Sequence, residues 1–197
     1  SDTVTLTATA FQISDEDITV TLATTGTGTS GTDYSSVNAT TITISAGNTT
    51  GTKTFTITDD SVSEGDETAI VAISAVSGGG ATESGTQSVT VTITDNDSPS
   101  ITLTSSVATL AENSSTTVTL TATSSMTSTS DITVTLATAG TATDGTDYST
   151  VNGTTITISA GATTGTKTFT MTDDSVYEGT ESIDIEISSV STGAYEN

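Results

Sequence analysis

The stretch Thr50-Gly51-Thr52-Lys53-Thr54-Phe55-Thr56-Ile57-Thr58-Asp59-Asp60 returns as Thr164-Gly165-Thr166-Lys167-Thr168-Phe169-Thr170-Met171-Thr172-Asp173-Asp174. Threonine holds every second place, so the residues between the threonines share the opposite face, the period-two signature of a half-buried strand. Each copy closes on a pair of acids. The repeat extends well beyond this stretch: residues 17–60 match residues 131–174 at all but about seven positions. A chain of 197 residues with such a duplication is expected to form two domains of about 100 residues each.

The same alternation continues through Val4, Leu6 and Ala8; Ile18, Val20 and Leu22; Ile42 and Ile44; and Val89, Val91 and Ile93, and no window reads as a helix. In the second copy Ile183, Ile185 and Ile187 alternate with Asp184 and Glu186, which sets the inward face of the matching first-copy strand as Ala69, Val71 and Ile73. One period predicts seven strands: A (about 101–111), B (3–9 or 117–123), C (17–24), D (41–45), E (52–58), F (67–75) and G (88–95). Short strands punctuated by Gly, Ser, Asn and Asp predict an all-β chain of two tandem immunoglobulin-like antiparallel β-sandwiches. The only proline, Pro99, marks the expected boundary, with domain 1–98 lacking strand A and domain 99–197 lacking strand G. A cut from a longer array is the expected origin of the missing edges, and donation by neighbouring subunits is the alternative.

Composition narrows the chemistry. With 24 acidic and 2 basic residues the net charge is -22, which repels nucleic acid and acidic lipid surfaces and favours cations. Cysteine and histidine are absent, so thiolate and imidazole metal sites are excluded. Oxygen ligands for hard cations remain. With no arginine either, no nucleophile–base constellation can be assembled, and the chain is expected not to be an enzyme. No run of 18 apolar residues and no signal-peptide pattern is present, so membrane insertion is not expected of this stretch.

Strands of alternating direction bring the A–B, C–D and E–F connections and the end of strand G to one pole. Glu112 follows strand A, Asp147 lies between C and D, and Asp173, Asp174 and Glu178 lie between E and F; in the first copy Asp95 and Asp97 close strand G. Two carboxylates about 4 Å apart repel by roughly 4 kcal/mol at an effective dielectric near 20, so such a gathering calls for a compensating cation. Calcium, which accepts 6 to 8 oxygens in irregular geometry, suits loop ligands better than magnesium. An Asp-Asp pair alone is an ordinary turn; convergence of four acidic loops is what favours a site. Tyr34 and Tyr148 are expected as core plugs, and the outward threonine rows as plain β-propensity.

The motifs Gly-Thr-Asp-Tyr, Thr-Ile-Thr-Ile-Ser-Ala-Gly, Asp-Asp followed by Glu-Gly-Asp-Glu, and Thr-Val-Thr-Ile-Thr-Asp-Asn-Asp together resemble the Calx-β domain of sodium-calcium exchangers and long bacterial surface adhesins. The resemblance covers almost all of both copies. It implies Ca2+ ligand roles for Asp33, Asp59, Asp60, Glu64, Asp95 and Asp97 in the first copy, and for Glu112, Asp147, Asp173, Asp174 and Glu178 in the second. Asn96 is a neutral ligand at best, and Asp66 is replaced by Thr180.

These features predict a calcium-rigidified structural repeat of an extracellular or cell-surface adhesin or filament. Its expected partners are neighbouring repeats, an unidentified surface ligand, and glycans through the sequons at Asn38, Asn48, Asn96, Asn113 and Asn152. The alternatives are a self-assembling filament subunit that exchanges edge strands, and a calcium-sensing regulatory module.

Overall fold

The computed structural model describes residues 2–114, 116–174, 176–191 and 195–196, with the backbone alone for 195–196. The chain is all-β and divides into two units, each a β-sandwich with an incomplete sheet.

The first unit comprises Ser1–Asp60 and Gly65–Asp95. Its strands are β1 (Thr3–Thr9), β2 (Ile18–Thr25), β3 (Thr41–Ile44), β4 (Thr50–Thr56), β5 (Glu67–Ser77) and β6 (Ser88–Ile93). β1 and β4 pair antiparallel, and β3-β2-β5-β6 form the facing sheet. The alternation read from the sequence decides what goes inside: Leu6, Ile18, Val20, Leu22, Ile42, Ile44, Phe55, Ala69 and Val71 are buried, with Tyr34 and Val37 contributed by the connection between β2 and β3.

The second unit comprises Ser61–Glu64 and Asn96–Asn197. Its strands are β7 (Ser100–Ser105), β8 (Thr117–Ser124), β9 (Ile132–Gly140), β10 (Thr155–Ile158), β11 (Thr164–Thr170), β12 (Ile183–Val190) and β13 (Tyr195–Glu196). Order β11-β8-β7-β13 faces order β10-β9-β12, and all pairs are antiparallel except the two-residue β13 on β7. Among the described residues β7 supplies β8 with the neighbour that β1 lacks, whereas β12 lacks the neighbour that β6 gives β5. A cavity of about 850 Å³ opens between the sheets beside β12, walled by Leu103, Leu120, Phe169 and Ile185 and edged by acids.

The structure departs from the sequence reading in three places. Strand A is shorter than expected, because the Ser105 hydroxyl donates to the Val107 carbonyl and turns the chain after β7. The alternation of strand F is broken by a bulge at Ser74, between the pairs Ala75↔Thr21 and Ile73↔Leu22, so that Val76 rather than Ala75 turns to the core. The second unit repeats this bulge at Ser188, between Ile187↔Leu136 and Ser189↔Thr135, and in both the serine hydroxyl donates to a carbonyl of the partner strand. Val89, read as an inward residue of strand G, is 53 % exposed on the edge strand β6, while Pro99 is fully buried.

The β9–β10 connection of the second copy holds a left-handed residue, Gly153 at φ 68°, where the matching β2–β3 connection of the first copy has Ala39 at φ 56°. An L-residue pays about 1–2 kcal/mol there, partly offset by the flexibility that glycine adds to the unfolded chain. Ala39→Gly is expected to stabilise the first unit by about 0.5 kcal/mol, a rise of about 2–4 °C in melting temperature. A fall measured by calorimetry would contradict the strain.

Candidate metal centre

In each copy the Gly-Thr-Asp-Tyr loop folds on itself and is then stitched to the end of a neighbouring strand. Gly145, at φ 83°, donates its N–H to the Tyr148 carbonyl, and the Thr146 and Asp147 N–H groups both donate to Thr143. Tyr148 bridges Met171 just beyond β11, and the Thr172 N–H donates to the Asp147 carbonyl at 2.8 Å. That stitch carries the Asp-Asp pair to Asp147. The first copy repeats it, with Tyr34 bridging Ile57 and the Thr58 N–H donating to Asp33 at 2.8 Å. The tyrosines anchor both loops: each is buried and meets a phenylalanine edge-on, Tyr34 on Phe55 at 5.9 Å and Tyr148 on Phe169 at 5.8 Å.

Asp33 and Asp147 are the buried acids, each 7 % exposed. One carboxylate oxygen of each accepts a backbone N–H, from Thr29 and Thr143 respectively. The side chain is thereby fixed with its second oxygen left to face the acids around it.

In the second unit three connections deliver carboxylates to one place. Glu112, Asp174 and Glu178 offer oxygens within 4.8 Å of one another, and so do Asp147, Glu178 and Glu181. Glu178 belongs to both groups. Asp174 is itself positioned by the Val176 N–H, and Glu181 by its neighbour Ser182, whose carbonyl accepts from Thr141 and Ala142 and whose N–H donates to the Thr141 hydroxyl. Gly140, at φ 111°, permits that approach, since a Cβ there would lie 2.2 Å from the Ser182 carbonyl oxygen. In the first unit Asp33 and Glu67, the first residue of β5, bring oxygens within the same 4.8 Å limit.

Electrostatics follows from this crowding. Desolvation, then the negative charges of Asp147, Asp174, Glu181 and Glu112, raise the Glu178 carboxyl above its ordinary value. Glu181 is raised by desolvation, by Asp147 as a charge and as a hydrogen-bond partner, and by Glu112. Asp144 behaves oppositely. Desolvation pushes it up, but the backbone N–H groups of Asn152 and Val151 and the hydroxyls of Thr150 and Thr138 outweigh that and hold it below 3.8. Its contribution to stability is therefore full above the ordinary value and is lost as pH falls through the depressed pKa. It is a loop clamp standing apart from the acid groups, with no counterpart in the first copy, where Ser30 occupies its position.

Of the acids singled out by sequence, Glu112, Asp147, Asp174 and Glu178 come together. Asp173, Asp59, Asp60 and Asp97 fall in none of the three-acid groups found among the described residues. Glu64 lies in the segment Ser61–Glu64 of the second unit. Asp95 braces the start of β5: its carboxylate accepts the Gly65 N–H at 3.0 Å while its own N–H donates to Asp66 at 3.1 Å. Two participants, Glu67 and Glu181, were not picked out by sequence. They stand at the same repeat position, three residues after Glu64 and Glu178, and in phase with the inward residues Ala69 and Ile183 that follow two places on, so the alternation turns them toward the mouth of the sandwich at the start of strand F.

An oxygen-only carboxylate pole on a tandem β-sandwich defines a cation-binding module. A family model described as "Calx-beta domain" matches residues 2–97 and 94–196, and the chain belongs to that family: it is a calcium-binding Calx-β repeat module. Two crystal structures are similar to the chain: CBD12 from CALX1.2 (18% identity over 86% of this chain and 68% of that one, TM-score 0.42) and calcium binding domain CBD12 of CALX1.1 (19% identity over 93% and 73%, TM-score 0.43). No curated protein matches the chain. Among the described residues no helix is long and apolar enough to cross a membrane.

Proposed function

We propose that the second unit binds Ca2+ through Asp147, Glu178, Glu181, Glu112 and Asp174, with Glu178 shared between two ion positions. The observation that carries this is the double membership of Glu178 in two all-carboxylate groups. The only basic side chains, Lys53 and Lys167, stand mid-strand on β4 and β11 and supply no counter-charge to the loops. Asp33 and Glu67 hold the corresponding places in the first unit.

Ion binding would tie together three loops that otherwise repel, so its direct consequence is mechanical: a mobile pole becomes a stiff one. We assign this stiffening to a repeat in an extracellular adhesin or surface filament, in which neighbouring repeats are the immediate partners and the threonine faces and sequons carry contacts or glycans. The calcium-sensing reading uses the same residues, and it is favoured by membership of a family that includes exchanger modules.

Affinity separates the two. Extracellular modules bind at about 10⁻⁴ to 10⁻³ M and sensors at about 10⁻⁷ to 10⁻⁵ M. At about 100 times the dissociation constant calcium should add about 2.7 kcal/mol per site, raising the melting temperature by about 10 °C or more in a domain of this size. Titration calorimetry with calorimetric melts in Ca2+ and in chelator checks both, and unchanged melting would sink the proposal.

A further inference from the structure

Among the described residues the exposed large apolar side chains are Phe11, Ile13, Val89, Val176 and Tyr177. Four of the five fall on two connections. Phe11 and Ile13 lie between β1 and β2, and Val176 and Tyr177 between β11 and β12.

The chain holds the repeat counterparts of these connections already joined. Within the second unit Ser63 forms a parallel bridge with Ser128: the Ser63 N–H donates to the Thr127 carbonyl at 3.1 Å, and the Thr129 N–H donates to the Ser63 carbonyl at 2.9 Å. Moving both sides by one repeat puts Tyr177 in the place of Ser63, and Ile13, Ser14 and Asp15 in the places of Thr127, Ser128 and Thr129. The equivalence is structural as well, since the Ser14 and Ser128 carbonyls accept N–H groups from Gly47 and Gly161 in matching bonds of 2.7 and 2.8 Å. Ser128 is buried in its bridge and Ser14 is only half-buried. Among the described residues neither the Ile13 carbonyl nor the Asp15 N–H has a hydrogen-bond partner.

We propose that these two connections dock on each other between chains, the Tyr177 segment of one copy adding in parallel to Ile13–Asp15 of a second copy in a head-to-tail contact. The geometry is the backbone bridge the chain already makes, so its register is specified. The substitutions fit the change from internal to external use. A joint within one chain profits from high effective concentration and manages with Ser63, Ser125 and Thr127. A joint between chains must offset lost translational freedom, and it presents Tyr177, Phe11 and Ile13 at those same positions. Because the two surfaces differ, the contact is heterologous and propagates rather than closing. Both sides also carry acids, Asp15 and Glu16 against Asp174 and Glu178, so salt and Ca2+ should strengthen it.

So small a contact is weak, and association is expected near about 10⁻⁴ M. Sedimentation velocity of the whole chain from about 10 µM to about 1 mM, with Ca2+ and with chelator, is the test. Wild type should form open-ended oligomers. The variants Phe11→Ser with Ile13→Thr, and separately Tyr177→Ser, should each lose association about tenfold or more at unchanged melting temperature. Mixed together, each still has one intact end, and they should form 1:1 dimers that grow no further.

A wild-type monomer throughout the range would overturn the proposal. So would oligomers that persist in the Phe11→Ser, Ile13→Thr variant, which would assign association to the open sheet edges. The inference goes beyond the calcium reading and separates from it: melting insensitive to chelator alongside intact head-to-tail dimers would sink that reading and spare this one.

Discussion

Glu178→Gln is expected to abolish most calcium binding in the second unit while making the metal-free protein more stable. The two effects have opposite signs because one residue serves both carboxylate groups. With the ion present, removing its charge disconnects Asp147 and Glu181 from Glu112 and Asp174. Losing even an outer partner of a metal ligand costs about 10–100-fold in affinity, so loss of a shared ligand should exceed about 100-fold by titration calorimetry. Without the ion, the same charge is a liability, because desolvation and the four acids Asp147, Asp174, Glu181 and Glu112 all disfavour it. Glu181→Gln should act in the same sense but more weakly, since Glu181 enters one group.

The pH dependence carries the same signature. Glu178 and Glu181 hold folded pKa values above the ordinary 4.5, so the native metal-free form takes up protons more readily than the unfolded chain. Its stability should therefore rise as pH falls from neutral through those raised values. Protons compete with Ca2+ for the same oxygens, so calcium-loaded stability should fall over that range and the two melting curves should converge. Parallel curves would show that these carboxylates do not hold the ion.

Phe169→Ala is expected to destabilise the second unit by about 3–5 kcal/mol, against less than about 1.5 kcal/mol for Phe169→Leu. Phe169 is 6 % exposed and supports the edge of Tyr148, the residue that follows Asp147. A loss of that size consumes much of a domain's usual 5–15 kcal/mol, and a drop of about 15 °C or more should be seen by calorimetry. The substitution should also weaken calcium binding, because the Asp147 loop is held by this ring and by the Tyr148–Met171 bridge. Phe55→Ala is the control, with the same effect confined to the first unit, where Phe55 supports Tyr34. A normal calcium titration in Phe169→Ala would show that the stitch to β11, rather than the aromatic pair, positions Asp147.

Much of the pole was legible because its acids sit at connections whose order along the chain is set by alternating strands. Asp147 and Asp174 reach one pole because the Tyr148–Met171 bridge and the Thr172 N–H bond to Asp147 tie the β9–β10 connection to the end of β11 in the other sheet, and both were marked by the repeat. Glu67 and Glu181 were not legible as site residues. A charged residue in the inward phase at the very start of a strand is ordinarily read as the end of the apolar run, and only the pinning of Ser182 to Thr141 shows that Glu181 is held beside Asp147. Asp95 has a second use that its position at the end of strand G did not announce: its carboxylate accepts the Gly65 N–H.

Period-two patterning of Thr with Val, Ile and Phe settled by itself that the chain is all-β, which faces are inward, and that the unit is written twice, because side chains on a strand can point only to alternate sides. Tertiary structure alone decided the bulges at Ser74 and Ser188, the shortening of β7, and the choice of which carboxylates share space. Those features depend on distances between segments far apart in the chain, where a shift of one residue or a few ångströms determines whether two oxygens can meet one ion.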